Sequence, residues 1–497
     1  MSLEPMSPDE VRARLARLQS DDLPTHGGRT LAYVYDGGLA DVDRLGREAV
    51  AAYAATNGLD PTAFPSVLTL ENEVVGRTCD LLDAPASTVG TVTSGGTESV
   101  LLAVQGARDA RGDLREAGVR PRMVLPSTIH AAFLKAAHYY DVEAVVVPVG
   151  ADFRADVDAM RAAVEADPHR TVLVAVSAPS YAHGVVDPVA EVAAVAAAHG
   201  VRCHVDACIG GWVLPYARRL GRAVPPWTFE VEGVTSISVD LHKYAYAPKG
   251  TSVLLHRTPA LRRPQYFANA DWPGYTMLNT TLQSTKSGGP LAGAWAVLNA
   301  IGDDGYLDLT RRVLDGVDTV VAAVRDLDGL ALVAPPDSTL LALAADGSCD
   351  VFTVADELAE LDWLAQPQLT HAGRPPTLHL SLSAATDATG LVAALRTAVA
   401  AARERGPVRI DPDVVAFVAA LDPATLGDEE LDGLLAALGL AAGADGGAPA
   451  LPERMGEVNA LLDLASPRLR EALLTAFLDR LARPVRLAPA DPAESGG

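Results

Sequence analysis

The sequence predicts an α/β protein: a mostly parallel sheet flanked by helices, with a smaller C-terminal α+β domain. Three observations carry that expectation. Between residues 86 and 310, short β-branched runs alternate with Ala-rich segments, the pattern of strands joined by crossover helices. After residue 310 the order changes to one long helical pattern followed by strand-like runs with helices between them. The chain has 497 residues, 49% hydrophobic and 21% charged, enough for two or three domains with buried cores.

Residues 1–85 read as an N-terminal arm and helical segment: a short helix ("DEVRARLARLQ"), a mobile Gly-rich stretch, then helical periodicity over 40–83 broken by "TNGLDPTAFP". Residues 86–310 form the large α/β domain. Its expected strands are "PRMVLPS", "VEAVVVPV", "TVLVAVSAP", "VRCHVDAC", "SISVD" and "TSVLLHR", and the C-terminal ends of such strands carry the site. In residues 311–497, "YLDLTRRVLDGVDTVVAAVRDL" predicts a long helix, and "LALVAPP", "STLLALAA" and "TLHLSLS" predict strands. Residues 441–450 ("AAGADGGAPA") read as a flexible linker, Ser466 and Pro467 as the start of a last helix, and the chain from Pro484 as a loose tail.

A formal net charge of -23 opposes binding to nucleic acid or an anionic membrane, so an anionic ligand must be met by local positive charge. Cys79, Cys203, Cys208 and Cys349 show no CxxC pair and no metal-ligand spacing; they read as reduced thiols of a cytoplasmic protein without a metal centre. The acidic N-terminus lacks the apolar core of a signal peptide, and no apolar run approaches a membrane span.

Four segments concentrate chemistry near the expected strand ends. In "TSGGTESV", Gly95 and Gly96 permit close backbone approach, Thr97 and Ser99 offer hydroxyls, and the helix that follows presents its N-terminus to a phosphate. Alone, the segment is equally an ordinary strand–turn–helix connection. "HVDACIGG" sets Asp206 at the end of a buried strand, where a carboxylate needs a cation or donor; it could also simply cap the next helix. His130 opens the helix of "PSTIHAAFLKAA". "SVDLHKYAYAPKG" holds Lys243 and Lys249, two of only four lysines in a chain whose other basic residues are arginine. Lysine, unlike arginine, can act as a nucleophilic amine. In an extended segment His242 and Lys243 point to opposite faces. Together the pieces describe one ligand, pyridoxal 5′-phosphate: a phosphate at a helix N-terminus, a ring nitrogen opposite Asp206, a flat ring against His130 and an aldehyde for Lys243.

These motifs, with "ADWPGY" and "STKSGGPLAGAWAVL", resemble the pyridoxal-phosphate-dependent group II decarboxylase superfamily of fold type I, and within it the sphingosine-1-phosphate lyase branch. The resemblance runs from about Tyr33 to Tyr306 and implies the following roles. Lys243 is the Schiff-base lysine, Asp206 the partner of the pyridine nitrogen, His130 and Cys208 the packing on the two ring faces. Gly95, Gly96, Thr97 and His242 hold the phosphate, with Thr285 arriving from a second subunit, so a homodimer with shared sites is expected. For the substrate the resemblance points to Tyr35 (or Tyr33), Asn57, Asp60 and Lys249. The branch carries "SNPLHPD" where this chain reads "TNGLDPT", so Asp60 replaces a His, and Lys286 stands where the branch has Arg. An Asp60–Lys249 ion pair would disfavour a phosphorylated substrate.

The expected reaction is carbon–carbon cleavage at the Cα of an amine or amino acid. Retro-aldol scission of a 2-amino alcohol leads, amino-acid decarboxylation comes next, and aminotransfer or a catalytically silent cofactor-binding protein are the remaining readings.

Overall fold

A computed structural model describes residues 5–423, 427, 430, 433, 452–482 and 484; the linker expected at 441–450 and the tail after Pro484 lie outside them. The N-terminal arm holds helices α1 (Pro8–Gln19), α2 (Ala40–Ala52) and α3 (Pro65–Leu81). Ser7 and Glu10 close a capping box on α1, which buries nothing. By contrast α3 buries Val67, Leu70 and Val74, spaced for one helix face.

The large domain alternates strand and helix: β1 (Val89–Thr93), α4 (Gly96–Asp109), α5 (Gly112–Glu116), β2 (Arg122–Pro126), α6 (Ala132–Tyr140), β3 (Glu143–Val147) and α7 (Val157–Ala166). It continues through β4 (Thr171–Ser177), α8 (Val189–Ala198), β5 (Arg202–Asp206), α9 (Gly210–Arg219), β6 (Val234–Asp240) and β7 (Ser252–His256). These strands form one sheet in the order β1-β7-β6-β5-β4-β2-β3. Neighbours from β6 to β3 are parallel, while β7 runs antiparallel to both β6 and β1. All six expected strands form. The seventh, β1, is a short edge strand with Gly90 at its second position and too little apolar pattern to stand out. β4 is buried along its whole length, and each fully covered Val or Leu in such a strand contributes roughly 1.5–3 kcal/mol.

Beyond β7 come α10 (Pro259–Arg262) and an unexpected hairpin, β8 (Phe267–Asn269) with β9 (Met277–Asn279). Helix α11 (Gly288–Arg325) then crosses the domain boundary expected at residue 310, so the two domains are joined by a helix there. It kinks at Gly302, whose φ of 63° favours glycine.

The smaller sheet contains β10 (Leu330–Leu332), β11 (Leu340–Ala345), β12 (Gln366–Gln368) and β13 (Thr377–Ser381), in the antiparallel order β10-β11-β13-β12, with α12 (Val351–Ala359) and α13 (Ala388–Arg405). The "QPQ" of β12 has no strand propensity and forms by pairing with β13. Helices α14 (Pro412–Ala420), α15 (Gly456–Leu464) and α16 (Pro467–Leu481) follow, with a small core of Val418, Leu461, Ala465 and Leu469. Ser466 caps α16 through the Leu469 amide, as expected. Asp356 on α12 accepts from the Met455 and Gly456 amides and anchors this module. Among the described residues no helix is long and apolar enough to cross a membrane.

Candidate active site

The C-terminal ends of β4, β5 and β6 and the N-terminus of α4 enclose a cavity of about 230 Å³. Gly96, Thr97, His130, Asp206, Cys208, His242 and Lys243, all named from the sequence, line it. Helix α4 begins after Gly95 with no side-chain cap, so its first amides are open to an anion. A Cβ on Gly96 would lie 2.6 Å from the Cys208 Sγ and 2.8 Å from Asp240 Oδ1, so only glycine lets the helix end approach this closely. Behind it, Glu98 is held by the Ser94 and Leu282 amides and Thr93 bonds Ser99, fixing the loop. His242 lies against the Gly95 turn; its Nδ1 donates to the Thr251 carbonyl at 2.8 Å.

Asp206 and Ser238 are paired in the β5–β6 ladder, which puts Asp240, two residues on, on the same face as Asp206. Asp206 is 8% exposed and its Oδ1 accepts from the Cys208 amide at 3.1 Å. Asp240 is more deeply buried, accepts from Ser252 and sits 2.8 Å from the Lys243 Nζ and 3.6 Å from His242 Nε2. The expectation that His242 and Lys243 point to opposite faces fails. Residues 241–245 form a turn, closed by the Ala247 amide on the Leu241 carbonyl, and both side chains face Asp240.

Burial opposes the charge on Lys243, but Asp240 more than offsets it and holds the ammonium above its ordinary range. Burial likewise opposes the Asp240 carboxylate, yet Lys243 and His242 keep it below its ordinary value. Burial, aided by Lys249 and Lys243, pushes His242 down, and burial beside two carboxylates pushes the Cys208 thiol up. Cys208 is therefore a neutral packing surface. His130 is exposed at the rim, its Nδ1 accepting from the Ala132 amide.

The sequence reading missed Asp240 and Tyr181. Asp240 stands three residues before Lys243 within a quoted motif, so its signal was present. Tyr181 lines the cavity from the loop after β4, stacks on His379 and donates to Gln366, whose amide donates to the Tyr33 hydroxyl. Nothing in its local sequence marks it.

The residues expected at the substrate divide. Tyr35 faces Lys243, and burial pushes its hydroxyl up. Lys249 lies over the Tyr35 ring and donates to the Tyr33 carbonyl at 3.0 Å. Burial and the Lys243 charge push it down. The Asp60–Lys249 ion pair is absent: among the described residues no carboxylate lies within 4.0 Å of Lys249. Asp60 is exposed and accepts from the Thr62 amide and hydroxyl, and Asn57 closes its own turn on the Leu59 amide. Lys286 is no phosphate ligand either; it is buried on Glu71, 2.7 Å from both oxygens, tying α3 to β1. Thr285 is exposed, outside this chain's own cavity. The Asn57 turn bridges to Ser287, so Asn57, Asp60 and Thr285 share one surface.

The cavity's donor set fits pyridoxal phosphate: an uncapped helix end with a glycine cradle, a carboxylate at a strand terminus and a reachable lysine. The family model of the pyridoxal-dependent decarboxylase conserved domain matches residues 32–343. A second, described as the C-terminal HTH domain of a pyridoxal-dependent enzyme, matches residues 412–480. The sphingosine-1-phosphate lyase of Arabidopsis thaliana is 37% identical over 363 residues, 72% of this chain and 65% of that protein. That of Dictyostelium discoideum is 37% identical over 342 residues, 69% of this chain and 62% of that protein. The chain thus spans under two thirds of the length of these curated relatives. A solved sphingosine-1-phosphate lyase from Burkholderia pseudomallei superposes with a TM-score of 0.75 at 31% identity, covering 82% of this chain and 93% of that one.

Proposed function

Because the chain belongs to the pyridoxal-dependent decarboxylase family, with the fold type I architecture and pyridoxal 5′-phosphate as cofactor, we propose that it is a carbon–carbon lyase acting at the Cα of a 2-amino alcohol. The observation that carries this is the convergence of Lys243, Asp206 and the open end of α4 on one cavity. The bound cofactor supplies an electron sink for the pair left on Cα when a bond breaks. Asp206 would keep the ring nitrogen protonated, Lys243 would hold the aldehyde carbon and carry protons, and Gly96, Thr97 and His242 would hold the phosphate. His130 and Cys208 pack the ring. The test is a spectral titration of the loaded protein against amino acids, 2-amino alcohols and their phosphates, with product analysis. Release of an aldehyde supports retro-aldol cleavage; carbon dioxide instead would make it an amino-acid decarboxylase, and exchange with keto acids an aminotransferase.

Within one subunit Lys249 lies beside Lys243 with no carboxylate within 4.0 Å among the described residues, which favours a phosphorylated substrate and removes the Asp60–Lys249 pair on which the opposite expectation rested. Matched substrates with and without the phosphate test it: kcat/KM should favour the phosphate, and Lys249→Met should erase most of that preference.

The working form is a homodimer with shared sites. Thr285 is exposed beside a surface carrying Leu282, and the β8–β9 hairpin shows Phe267, Trp272, Tyr275 and Leu278 to solvent. Asp60 and Asn57 then travel with Thr285 to the partner's site. Mixed dimers of Lys243→Ala and Thr285→Ala subunits should regain activity beyond the average of the two parents. The protein is cytoplasmic in this reading, since all four cysteines are free.

A further inference from the structure

We propose that Asp240 is the proton acceptor and donor through which Lys243 captures its carbonyl ligand, so that the site stores an ion pair that is discharged and restored during loading. The inference rests on the pyridoxal-phosphate reading of the cavity.

The geometry raises a problem that Asp240 resolves. A lysine nitrogen attacks a carbonyl only as the free amine, yet Lys243 is an ammonium 2.8 Å from Asp240 Oδ2. Few other groups in reach can take the proton. From its own segment the neighbours are His242, bonded to Thr251 through Nδ1, and the cationic Lys249. From β5 and the loop after it come Asp206 and the neutral Cys208 thiol; from the N-terminal segment and the β4 loop come the Tyr35 and Tyr181 hydroxyls, and His130 stands at the rim. Asp206 is turned to the Cys208 amide. Among the described residues Asp240 alone is within 4.0 Å of the ammonium as a charge partner.

Asp240 also lies under the expected phosphate cradle. Its oxygens would be 2.8 and 3.0 Å from a Cβ on Gly96, and it faces His242. A phosphate arriving at the α4 terminus sets a dianion beside a buried carboxylate. That repulsion raises the proton affinity of Asp240 at the moment Lys243 must lose a proton. Transfer cancels both charges and leaves a neutral amine and a neutral acid. The Lys243 nitrogen then bonds to the carbonyl carbon and the carbonyl C–O bonds break, the oxygen leaving as water. Of the three ammonium protons one stays on nitrogen and two leave in the water, one of them carried by Asp240. The carboxylate is thereby restored opposite a protonated C=N nitrogen.

The experiment is stopped-flow absorbance of cofactor-free protein mixed with pyridoxal 5′-phosphate, following growth of the visible band between pH 7 and 9.5. Wild type, Asp240→Asn and free Nα-acetyl-lysine are compared at each pH, so the ligand's own titrations cancel in the ratios. Asp240→Asn is expected to load about a hundredfold slower at pH 7, because the departing oxygen then lacks the acid that Asp240 supplies. Burial then opposes the charge on its lysine without that offset, so its deficit against wild type should not shrink as pH rises. The advantage of wild type over acetyl-lysine should fall as pH rises, with about tenfold more free amine on acetyl-lysine per pH unit below its pKa. If wild type tracks acetyl-lysine across the range, the proton goes to solvent and the proposal is overturned without any variant. An Asp240→Asn protein that loads at the wild-type rate with the wild-type profile overturns it too, leaving the cofactor reading intact. No band in wild type overturns both.

Discussion

The strand ends at Asp206 and Asp240 and the surface turns at Asp60 and Thr285 hold their polar residues in opposite ways. At the strand ends, the ladder between β5 and β6 sets each side chain's face, and burial forces each charge to find a partner inside the chain. At the turns, Asp60 and Asn57 spend their oxygens on neighbouring amides two residues away and point outward. The underlying support is elsewhere, in the Lys286–Glu71 pair beneath them. A polar motif at the edge of a parallel sheet therefore carries its geometry with it. A polar motif on a turn acquires a role only from whatever docks there.

That contrast can be broken or sharpened by experiment. The largest effect belongs to Lys243→Ala, which should abolish the visible band, turnover and borohydride labelling; a label found on another lysine would remove the site from these strand ends. Asp206→Asn should keep the cofactor and lose turnover by roughly a hundredfold or more, as kinetics on the loaded protein would show.

Acid should strike the buried interior rather than the turns. Burial holds His204, His379 and His183 at about 4 and His256 at about 3, against an ordinary 6.5. The unfolded chain binds these protons first, so the stability is full above pH 6.5 and is lost as pH falls toward 4. Urea midpoints at pH 7 and pH 5 measure it. His204→Asn, removing a ring held between Ser236 and Ser238, should flatten part of the slope.

Lys286→Met leaves Glu71 half-buried without its cation and should cost about 2 kcal/mol in urea unfolding. Retained stability with lost phosphate preference would instead return Lys286 to substrate binding. Asp60→Ala should change stability by less than about 0.5 kcal/mol, so any kinetic effect it has reports on the partner subunit's site.

The residues that line the cavity were legible because chemistry and position coincide in short stretches. "TSGGTES", "HVDACIGG" and "SVDLHK" each join a strand end to a reactive group, and the large sheet's strands are β-branched runs that stand out from Ala-rich helices. Less legible were elements formed by pairing alone, such as β12, and the hairpin whose apolar residues face solvent. The acidic C-terminal module shows the limit of a label. Residues 412–480 carry twelve acidic and four basic residues, a charge that opposes a nucleic-acid backbone, and what the described helices visibly do is dock on α12 through Asp356.

By itself the sequence determined the alternating sheet, the lysine that lines the cavity, the carboxylate at the β5 end and the glycines that admit the α4 terminus. Those properties follow from local backbone geometry and residue chemistry, which a short window contains. Tertiary structure alone decided that His242 and Lys243 share a face, that Lys286 belongs to Glu71 and that, among the described residues, no carboxylate lies within 4.0 Å of Lys249. A charge pair is chosen by distance and burial across separate elements, and residues 215 positions apart, such as Glu71 and Lys286, meet only when the chain has folded.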